Sequence, residues 1–131
     1  MDALARQSLV DAAVAARGLA YAPYSKFLVG AALWTAADEL FIGCNVENAS
    51  YGLTQCAERV AVTSAVSAGQ RQFTVLALAT TGGVMPCGAC RQVLAEFCDD
   101  LLILLVDTDK NHAVAEARLK DLLPGRFVLK G

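Results

Sequence analysis

The sequence has no cluster of Lys and Arg, no long apolar run, and no repeated or low-complexity tract. Its eleven basic and thirteen acidic residues are scattered along the chain and leave a net charge of −2. Proteins whose main ligand is DNA or RNA usually carry a basic patch, because phosphate contacts supply much of their affinity. The sequence therefore argues against nucleic acid as a partner and favours a small, uncharged or weakly charged substrate.

The apolar segments are too short for a membrane protein. The longest uninterrupted run extends from Leu101 to Val106, whereas a membrane-spanning helix needs about 20 apolar residues. The N-terminus has an acidic residue at Asp2 and lacks the apolar stretch of a secretory signal. We therefore expect a cytoplasmic protein without membrane contacts, whose five cysteines are thiols or metal ligands rather than disulfides.

Length and composition indicate one well-packed domain. The chain has 131 residues, of which 56% are hydrophobic and 18% charged, and this length is typical of a domain with its own core. An apolar excess is also typical of subunits that bury surface against copies of themselves. We therefore expect a single domain over residues 1–131 that forms a homo-oligomer.

The order of apolar patterns along the chain predicts an α/β fold. The predicted helices cover 2–17, 56–68 and the residues from 88 onward, and the predicted strands cover 28–34, 40–46, 73–80 and 101–106. The first two strands form a predicted hairpin, and the last two are apolar on both faces, as in sheets covered on both sides. Because strands that alternate with helices usually pair in parallel, the prediction is a three-layer α/β/α sandwich on a mixed, mostly parallel sheet.

Two short segments place cysteines where a loop enters a predicted helix. They are Cys56-Ala57-Glu58-Arg59 and Pro86-Cys87-Gly88-Ala89-Cys90-Arg91. The spacing of Cys87 and Cys90 lets two sulfurs reach one zinc ion, and Cys56 supplies a third ligand. Helix N-termini favour thiolates over thiols. Three protein ligands leave the fourth tetrahedral position open for water, as in catalytic rather than structural zinc sites.

The charged neighbours of Cys56 have predicted roles in proton transfer and charge compensation. Glu58 lies two residues after Cys56, so a helix turns it away from the ligand position and towards the reacting water, as a general base and then an acid. Three thiolates leave the zinc site with one net negative charge, which opposes ionisation of the water. Arg59 lies three residues after Cys56 and is predicted to reduce this charge by donating hydrogen bonds to sulfur; Arg91 is a less favoured candidate.

Two other interpretations of the cysteines remain open at this point. A lone Cys-x-x-Cys pair also occurs in thioredoxin-like redox sites, although the upstream Cys56-x-Glu58 pair argues against one. A structural zinc site would need a fourth ligand, for which Cys44, Cys98 and His112 are present in the sequence. The two cysteines fit core positions, and His112 falls in a polar turn.

The segments together resemble the small homotetrameric cytidine deaminases of free-nucleoside salvage. The Cys-x-Glu and Pro-Cys-x-x-Cys pair is the three-cysteine form of the zinc nucleobase deaminase signature. The resemblance runs nearly end to end, through Ala22 to Ala32, Gly43 to Tyr51, Cys56 to Arg59, Pro86 to Val93 and Leu122 to Phe127. It implies the cytidine deaminase fold with five strands in the sheet, one Zn²⁺ per subunit, and sites shared between the subunits of a homotetramer.

The resemblance also implies a set of substrate contacts. Asn45 and Glu47 would bind the ribose hydroxyls, and Phe27 would pack on the pyrimidine ring. The backbone of Ala57 would contact the base. The remaining contacts would lie near a subunit boundary and involve Ala49, Tyr51 and Phe127.

The function implied is zinc-dependent hydrolytic deamination of cytidine and 2'-deoxycytidine to uridine and 2'-deoxyuridine plus ammonia, in pyrimidine salvage. Three rival functions remain: deamination of a nucleoside antibiotic, editing of nucleic acid, and a non-catalytic zinc-stabilised interaction module. The scattered charge argues against editing, and the presence of Glu58 with three rather than four ligands argues against the module.

Overall fold

The computed structural model describes residues 1–129, which form five strands, four α-helices and one short 3₁₀ helix. The α-helices are α1 (Ala3–Arg17), α2 (Ala57–Ser67), α3 (Gly88–Phe97) and α4 (Leu119–Leu122). The strands are β1 (Gly30–Thr35), β2 (Leu40–Cys44), β3 (Phe73–Thr80), β4 (Leu102–Asp107) and β5 (Ala113–Arg118), and the 3₁₀ helix covers Tyr51–Leu53. None of the helices within residues 1–129 has the length and apolar character needed to cross a membrane.

The strands form one mixed sheet in the order β2-β1-β3-β4-β5. The prediction of a mixed sheet is confirmed, but the prediction that it is mostly parallel is wrong, because only β3 and β4 pair in parallel and the other three pairings are antiparallel. The crossover through α2 does return the chain in the same direction, so that β2 and β3 are parallel to each other. However, β1 lies between β2 and β3 and pairs antiparallel with each of them, so β2 and β3 do not pair with each other.

Helices cover both faces of the sheet and form two apolar cores. On one face, α1 packs Leu9, Val10 and Ala13 against a cluster that includes Val75 and Ala77 of β3. On the other face, α2 and α3 pack against Leu76 and Leu78 of the same strand. Successive side chains of a strand point to opposite faces, so the nearly continuous apolar sequence of β3 serves both cores. This arrangement is the predicted three-layer α/β/α sandwich.

The direction of the strands determines where a site can form. Because β2, β3 and β4 run the same way, their carboxyl ends lie at one edge of the sheet. The chain passes from the ends of β2 and β3 into α2 and α3, whose N-termini therefore lie at that edge. Ligands of α/β proteins usually bind outside the carboxyl ends of such strands.

Candidate functional site

Three cysteine sulfurs meet at the N-termini of α2 and α3. Cys56 and Cys87 are the residues that immediately precede the two helices, and Cys90 lies in the first turn of α3. Their Sγ atoms all lie within 4.8 Å of one another, and the Sγ atoms of Cys87 and Cys90 are 3.4 Å apart. Within residues 1–129 this is the only cluster of His, Cys, Asp and Glu that can hold a metal ion, so Cys44 and Cys98 do not supply a fourth ligand.

Hydrogen bonds favour the thiolate form of Cys56. The Cys90 thiol and then Arg59 donate to its sulfur and lower the pKa of Cys56 to about 5. The same interaction raises the pKa of Cys90, because its proton is held between the two sulfurs. The Nη2 atom of Arg59 lies 3.4 Å from the Cys56 Sγ atom. A basic group and a helix N-terminus thus supply positive charge to the sulfur cluster.

Arg91 makes different contacts from Arg59. Its guanidinium donates from Nε to the carbonyl oxygen of Pro86 at 2.8 Å and from Nη1 to the carbonyl oxygen of Leu122 at 3.0 Å. Arg91 therefore connects the loop before Cys87 to the end of α4 and makes no hydrogen bond to a cysteine sulfur. Of the two arginines considered from the sequence, Arg59 is the one that contacts the sulfur cluster.

Glu58 is a buried carboxyl group beside the sulfur cluster. The residue is only 5% exposed and lies in the first turn of α2, where the helix dipole favours a negative charge. Burial raises the pKa of the Glu58 carboxyl, and the negative charge of Cys56 raises it further. A carboxyl group whose pKa lies above its ordinary value can both accept and return a proton near neutral pH.

A cavity of about 310 Å³ opens onto Glu58 and the sulfur cluster. It is lined by Ser25, Phe27, Val29, Asn45, Glu47, Thr54, Gln55, Cys56, Ala57, Glu58, Leu78, Thr80, Val84, Met85 and Cys87. Four residues of the predicted substrate set, Phe27, Asn45, Glu47 and Ala57, are therefore brought together with Glu58. Ser25, Val84 and Met85 also line the cavity and were not predicted from the sequence, because nothing in their local pattern places them beside residues that are distant in the chain.

Asn45 and Glu47, which are predicted to bind ribose, also form hydrogen bonds with the backbone of the segment that carries Phe27. The side chain of Asn45 accepts from the backbone N–H of Val29 at 2.9 Å and donates to the carbonyl oxygen of Phe27 at 2.8 Å. Glu47 accepts from the backbone N–H groups of Tyr24 and Ser25. These contacts explain why Asn45, only 8% exposed, is not left with unsatisfied polar atoms.

Ala49, Tyr51 and Phe127 do not line this cavity. Tyr51 is 82% exposed and Phe127 is 69% exposed, and Ala49 is exposed as well. The chain by itself therefore does not bring these three residues to the site, and their predicted contacts remain predictions about the assembled protein.

Comparison with known proteins identifies the family. Residues 5–106 match the family described as the cytidine and deoxycytidylate deaminase zinc-binding region. The chain belongs to this family. Among deaminases of known sequence, it is 46% identical over 123 residues to a cytidine deaminase from Sporosarcina psychrophila, covering 92% of this chain and 90% of that protein.

Solved deaminase structures share the whole fold. A cytidine deaminase from Burkholderia pseudomallei is similar with a TM-score of 0.88 and 47% identity, over 97% of this chain and 100% of that one. A cytidine deaminase from Mycobacterium tuberculosis is similar with a TM-score of 0.81 and 44% identity, over 95% of this chain and 98% of that one. The fold predicted from the resemblance is thereby confirmed.

The cysteine cluster of this deaminase fits one zinc ion. Sulfurs bound to one tetrahedral zinc ion lie about 3.8 Å apart at Zn–S distances of about 2.3 Å, and the three Sγ atoms lie within 4.8 Å of one another. The guanidinium of Arg59, whose Nε atom is buried without a hydrogen-bond partner, places a positive charge beside the sulfurs. Cys56, Cys87 and Cys90 would hold the ion, and their number leaves a fourth position for a water.

Replacement of Arg59 by Gln is expected to lower kcat about tenfold or more while the protein still binds one zinc ion, because residues that support metal ligands typically contribute that much. Removing the guanidinium leaves the net negative charge of a zinc ion with three thiolates uncompensated. Steady-state assays and zinc analysis test this, with Arg71→Gln as the control, since Arg71 is exposed and lies outside the site. Unchanged activity and zinc affinity would count against charge compensation by Arg59.

Gly43 of β2 determines how closely α2 approaches the sheet. A Cβ atom on Gly43 would lie 2.3 Å from the carbonyl oxygen of Ala57 and 2.6 Å from the backbone nitrogen of Ala61. Both are backbone atoms of α2, so the helix itself would have to move. Its first turn carries Glu58 and follows directly on Cys56. The absence of a side chain at residue 43 therefore sets the position of the site relative to the sheet.

Gly43→Ala is expected to destabilise the deaminase by about 1–3 kcal/mol and to weaken zinc retention, because α2 shifts relative to α3. Gly30→Ala is the matched control: its Cβ would lie 2.0 Å from the carbonyl oxygen of Ala13, so it displaces α1 on the opposite face. Thermal unfolding and zinc retention against a competing chelator test both variants. Equal zinc retention in two equally destabilised variants would contradict this role of Gly43.

Proposed function

We propose that this chain is a single-domain enzyme that hydrolytically deaminates cytidine and 2'-deoxycytidine, releasing ammonia and forming uridine and 2'-deoxyuridine. The observation that carries the proposal is the buried Glu58 carboxyl beside three cysteine sulfurs, in a cavity that is also lined by Asn45 and Glu47. Proton transfer and sugar recognition are thus available within one nucleoside-sized space. The family match supports the same reaction.

The reaction depends on proton transfers by Glu58. When bound, the zinc ion supplies a water of lowered pKa for attack at C4 of the cytosine ring. The Glu58 carboxylate accepts a proton from that water and donates it to N3 of the ring. It then accepts the second proton of that water, from the hydroxyl now bonded to C4, and donates it to the exocyclic amine, so that the C4 carbonyl forms, the C4–N4 bond breaks and ammonia leaves. The raised pKa of Glu58 suits a group that must both accept and donate.

The other pocket residues would hold the nucleoside in place. Phe27 would pack on the pyrimidine ring, since it lines the cavity and is 38% exposed. The backbone N–H of Ala57 lies in the first turn of α2, where N–H groups have no partner within the helix, and would donate to the base. Asn45 retains one amide hydrogen beyond its bond to Phe27, which would meet a ribose hydroxyl.

Incubation of the purified protein with cytidine, followed by ultraviolet absorbance and ammonia release, tests the proposed function. We expect one ammonia per nucleoside consumed, loss of activity after chelation, and recovery on addition of Zn²⁺. A single-stranded oligonucleotide containing cytosine should be unchanged, as expected from the scattered charge. Failure to release ammonia from cytidine, with activity on a nucleoside antibiotic instead, would favour that rival substrate.

We also propose a cytoplasmic homotetramer whose sites are completed across subunit boundaries. The exposure of Tyr51 and Phe127 supports this arrangement, because large apolar side chains that remain exposed in one subunit are typical of interfaces. Ala49 would lie beside Tyr51 at the same boundary, and Phe127 would reach the site of a neighbouring subunit. Gel filtration tests the assembly, and a stable, fully active monomer would contradict it.

A further inference from the structure

The carboxylate of Glu47 is held by the turn that precedes Phe27. Its Oε1 atom accepts from the backbone N–H of Tyr24 at 3.0 Å and from that of Ser25 at 3.1 Å. Its Oε2 atom accepts a hydrogen bond from the Ser25 hydroxyl. These three bonds lower the pKa of Glu47, with the hydroxyl of Ser25 as the largest cause. Glu47 is thus kept ionised and oriented by residues 22 or 23 positions earlier in the chain.

The Ser25 hydroxyl forms a hydrogen bond with the backbone of Phe27 as well as with Glu47. Its Oγ atom accepts from the backbone N–H of Phe27 at 3.0 Å while its O–H donates to Glu47. A continuous path of hydrogen bonds therefore runs from the backbone of Phe27 through Ser25 to Glu47. The position of the aromatic wall and the orientation of the carboxylate are linked by a single hydroxyl group.

The number of hydrogen-bond acceptor sites on the Glu47 carboxylate determines how many are left for a substrate hydroxyl. A carboxylate offers about four lone-pair sites, two on each oxygen. The two backbone N–H groups occupy both sites of Oε1, and Ser25 occupies one site of Oε2. One site of Oε2 remains. Because the Ser25 hydroxyl fixes that oxygen, it also determines the direction from which a sugar hydroxyl can donate to it.

We infer that Ser25 is a positioning residue for sugar recognition, which orients Glu47 towards a ribose hydroxyl and couples it to Phe27. The inference rests on the proposed function, because it assigns Ser25 to the same nucleoside pocket. Loss of the hydroxyl removes the donor to Oε2 and leaves the Glu47 carboxylate held through Oε1 alone. A nucleoside with ribose hydroxyls loses a contact with Glu47 as a result, whereas a nucleoside without them loses only the smaller contribution that the Ser25 hydroxyl makes by holding the backbone of Phe27.

Ser25→Ala is expected to lower kcat/KM for cytidine about 10- to 150-fold, the range for lost hydrogen bonds to charged groups, mainly through a higher KM. For 2',3'-dideoxycytidine, which lacks the hydroxyls that Glu47 would bind, kcat/KM should change less than about threefold on the same reasoning. Ser25→Thr keeps a hydroxyl and should recover most of the loss. Zinc content and melting temperature should match those of the unaltered protein.

Two further variants separate positioning from general damage. Ser8→Ala removes a hydroxyl from the exposed surface of α1 and should change neither substrate. In a Glu47→Gln background, Ser25→Ala should add little further loss, because the group that Ser25 orients is already altered. Equal losses for both substrates, or fully additive losses in the double variant, would overturn the positioning role. An unaltered protein that is inactive on cytidine would instead overturn the proposed function, and the role of Ser25 with it.

Discussion

Replacement of Glu58 by Ala is expected to lower kcat for cytidine at least about a thousandfold, within the range for lost general acid–base catalysis, while one zinc ion per subunit is retained. The physical reason is that Glu58 is the carboxyl group buried against the sulfur cluster in the cavity. Without it, no group of suitable pKa collects the proton of the water and returns it to N3. Zinc analysis together with single-turnover assays measures both parts of the prediction.

Glu58→Gln and Glu39→Gln complete this test. Gln keeps the size of the Glu58 side chain but cannot exchange a proton. Turnover by Glu58→Gln should therefore fall as far as turnover by Glu58→Ala. Glu39 is exposed in the hairpin between β1 and β2, and its amide variant should keep full activity. Near-normal turnover by either Glu58 variant would exclude the proton-transfer role.

The burial of Glu58 also predicts an effect on stability. Its pKa is raised in the folded protein, mainly by burial, so folding disfavours the ionised form. The resulting loss of folding stability is absent at pH values below the ordinary pKa of a Glu carboxyl and is complete at pH values above the raised pKa. Metal-free Glu58→Gln should therefore be at least as stable as the unaltered metal-free protein at neutral pH. Denaturant unfolding at several pH values would separate this effect from loss of structure.

Replacement of Cys87 by Ala is expected to abolish both zinc binding and activity. Two sulfurs and solvent would have to hold the ion, and loss of a direct ligand should exceed the roughly 100-fold loss seen for residues that only support one. Cys87 is exposed, so its removal leaves the two cores intact. Zinc per subunit, activity and the melting temperature with added zinc are the measurements.

Cys44→Ser is the matched control, because Cys44 is a free cysteine outside the cluster. It should keep zinc and activity, and added zinc should raise its melting temperature by mass action. The Cys87 variant should show no such rise. Zinc-dependent activity in the Cys87 variant would refute the assignment of this residue as a ligand.

Much of the catalytic centre was predictable because its chemistry is local in sequence. Cys87 and Cys90 are separated by less than one helical turn, and Glu58 and Arg59 follow Cys56 within one turn. Helical geometry alone therefore places Arg59 near the Cys56 sulfur and turns Glu58 away from the ligand position. The apolar sequence of β3 likewise indicated a central strand with a core on each face.

The sheet topology was less predictable, because pairing joins segments that are distant in the chain. The sequence predicts that β2, α2 and β3 form a crossover, and the strands do run in the same direction. Nothing in the local pattern shows that β1 pairs with both β2 and β3. Its insertion between β2 and β3 adds two antiparallel pairings to that of β4 and β5, so the sheet is mostly antiparallel.

By itself, the sequence predicted the three-cysteine cluster, the proposed proton-transfer role of Glu58 and the α/β layering, since each depends on spacing within one helix or strand. The sequence already favoured Arg59 as the arginine beside the sulfurs. Only the tertiary structure showed why Arg91 does not contact them: its guanidinium donates to two backbone carbonyls. Only it showed that Ser25 holds Glu47. Such contacts join loops that are distant in the chain, and no local periodicity shows which loops lie side by side.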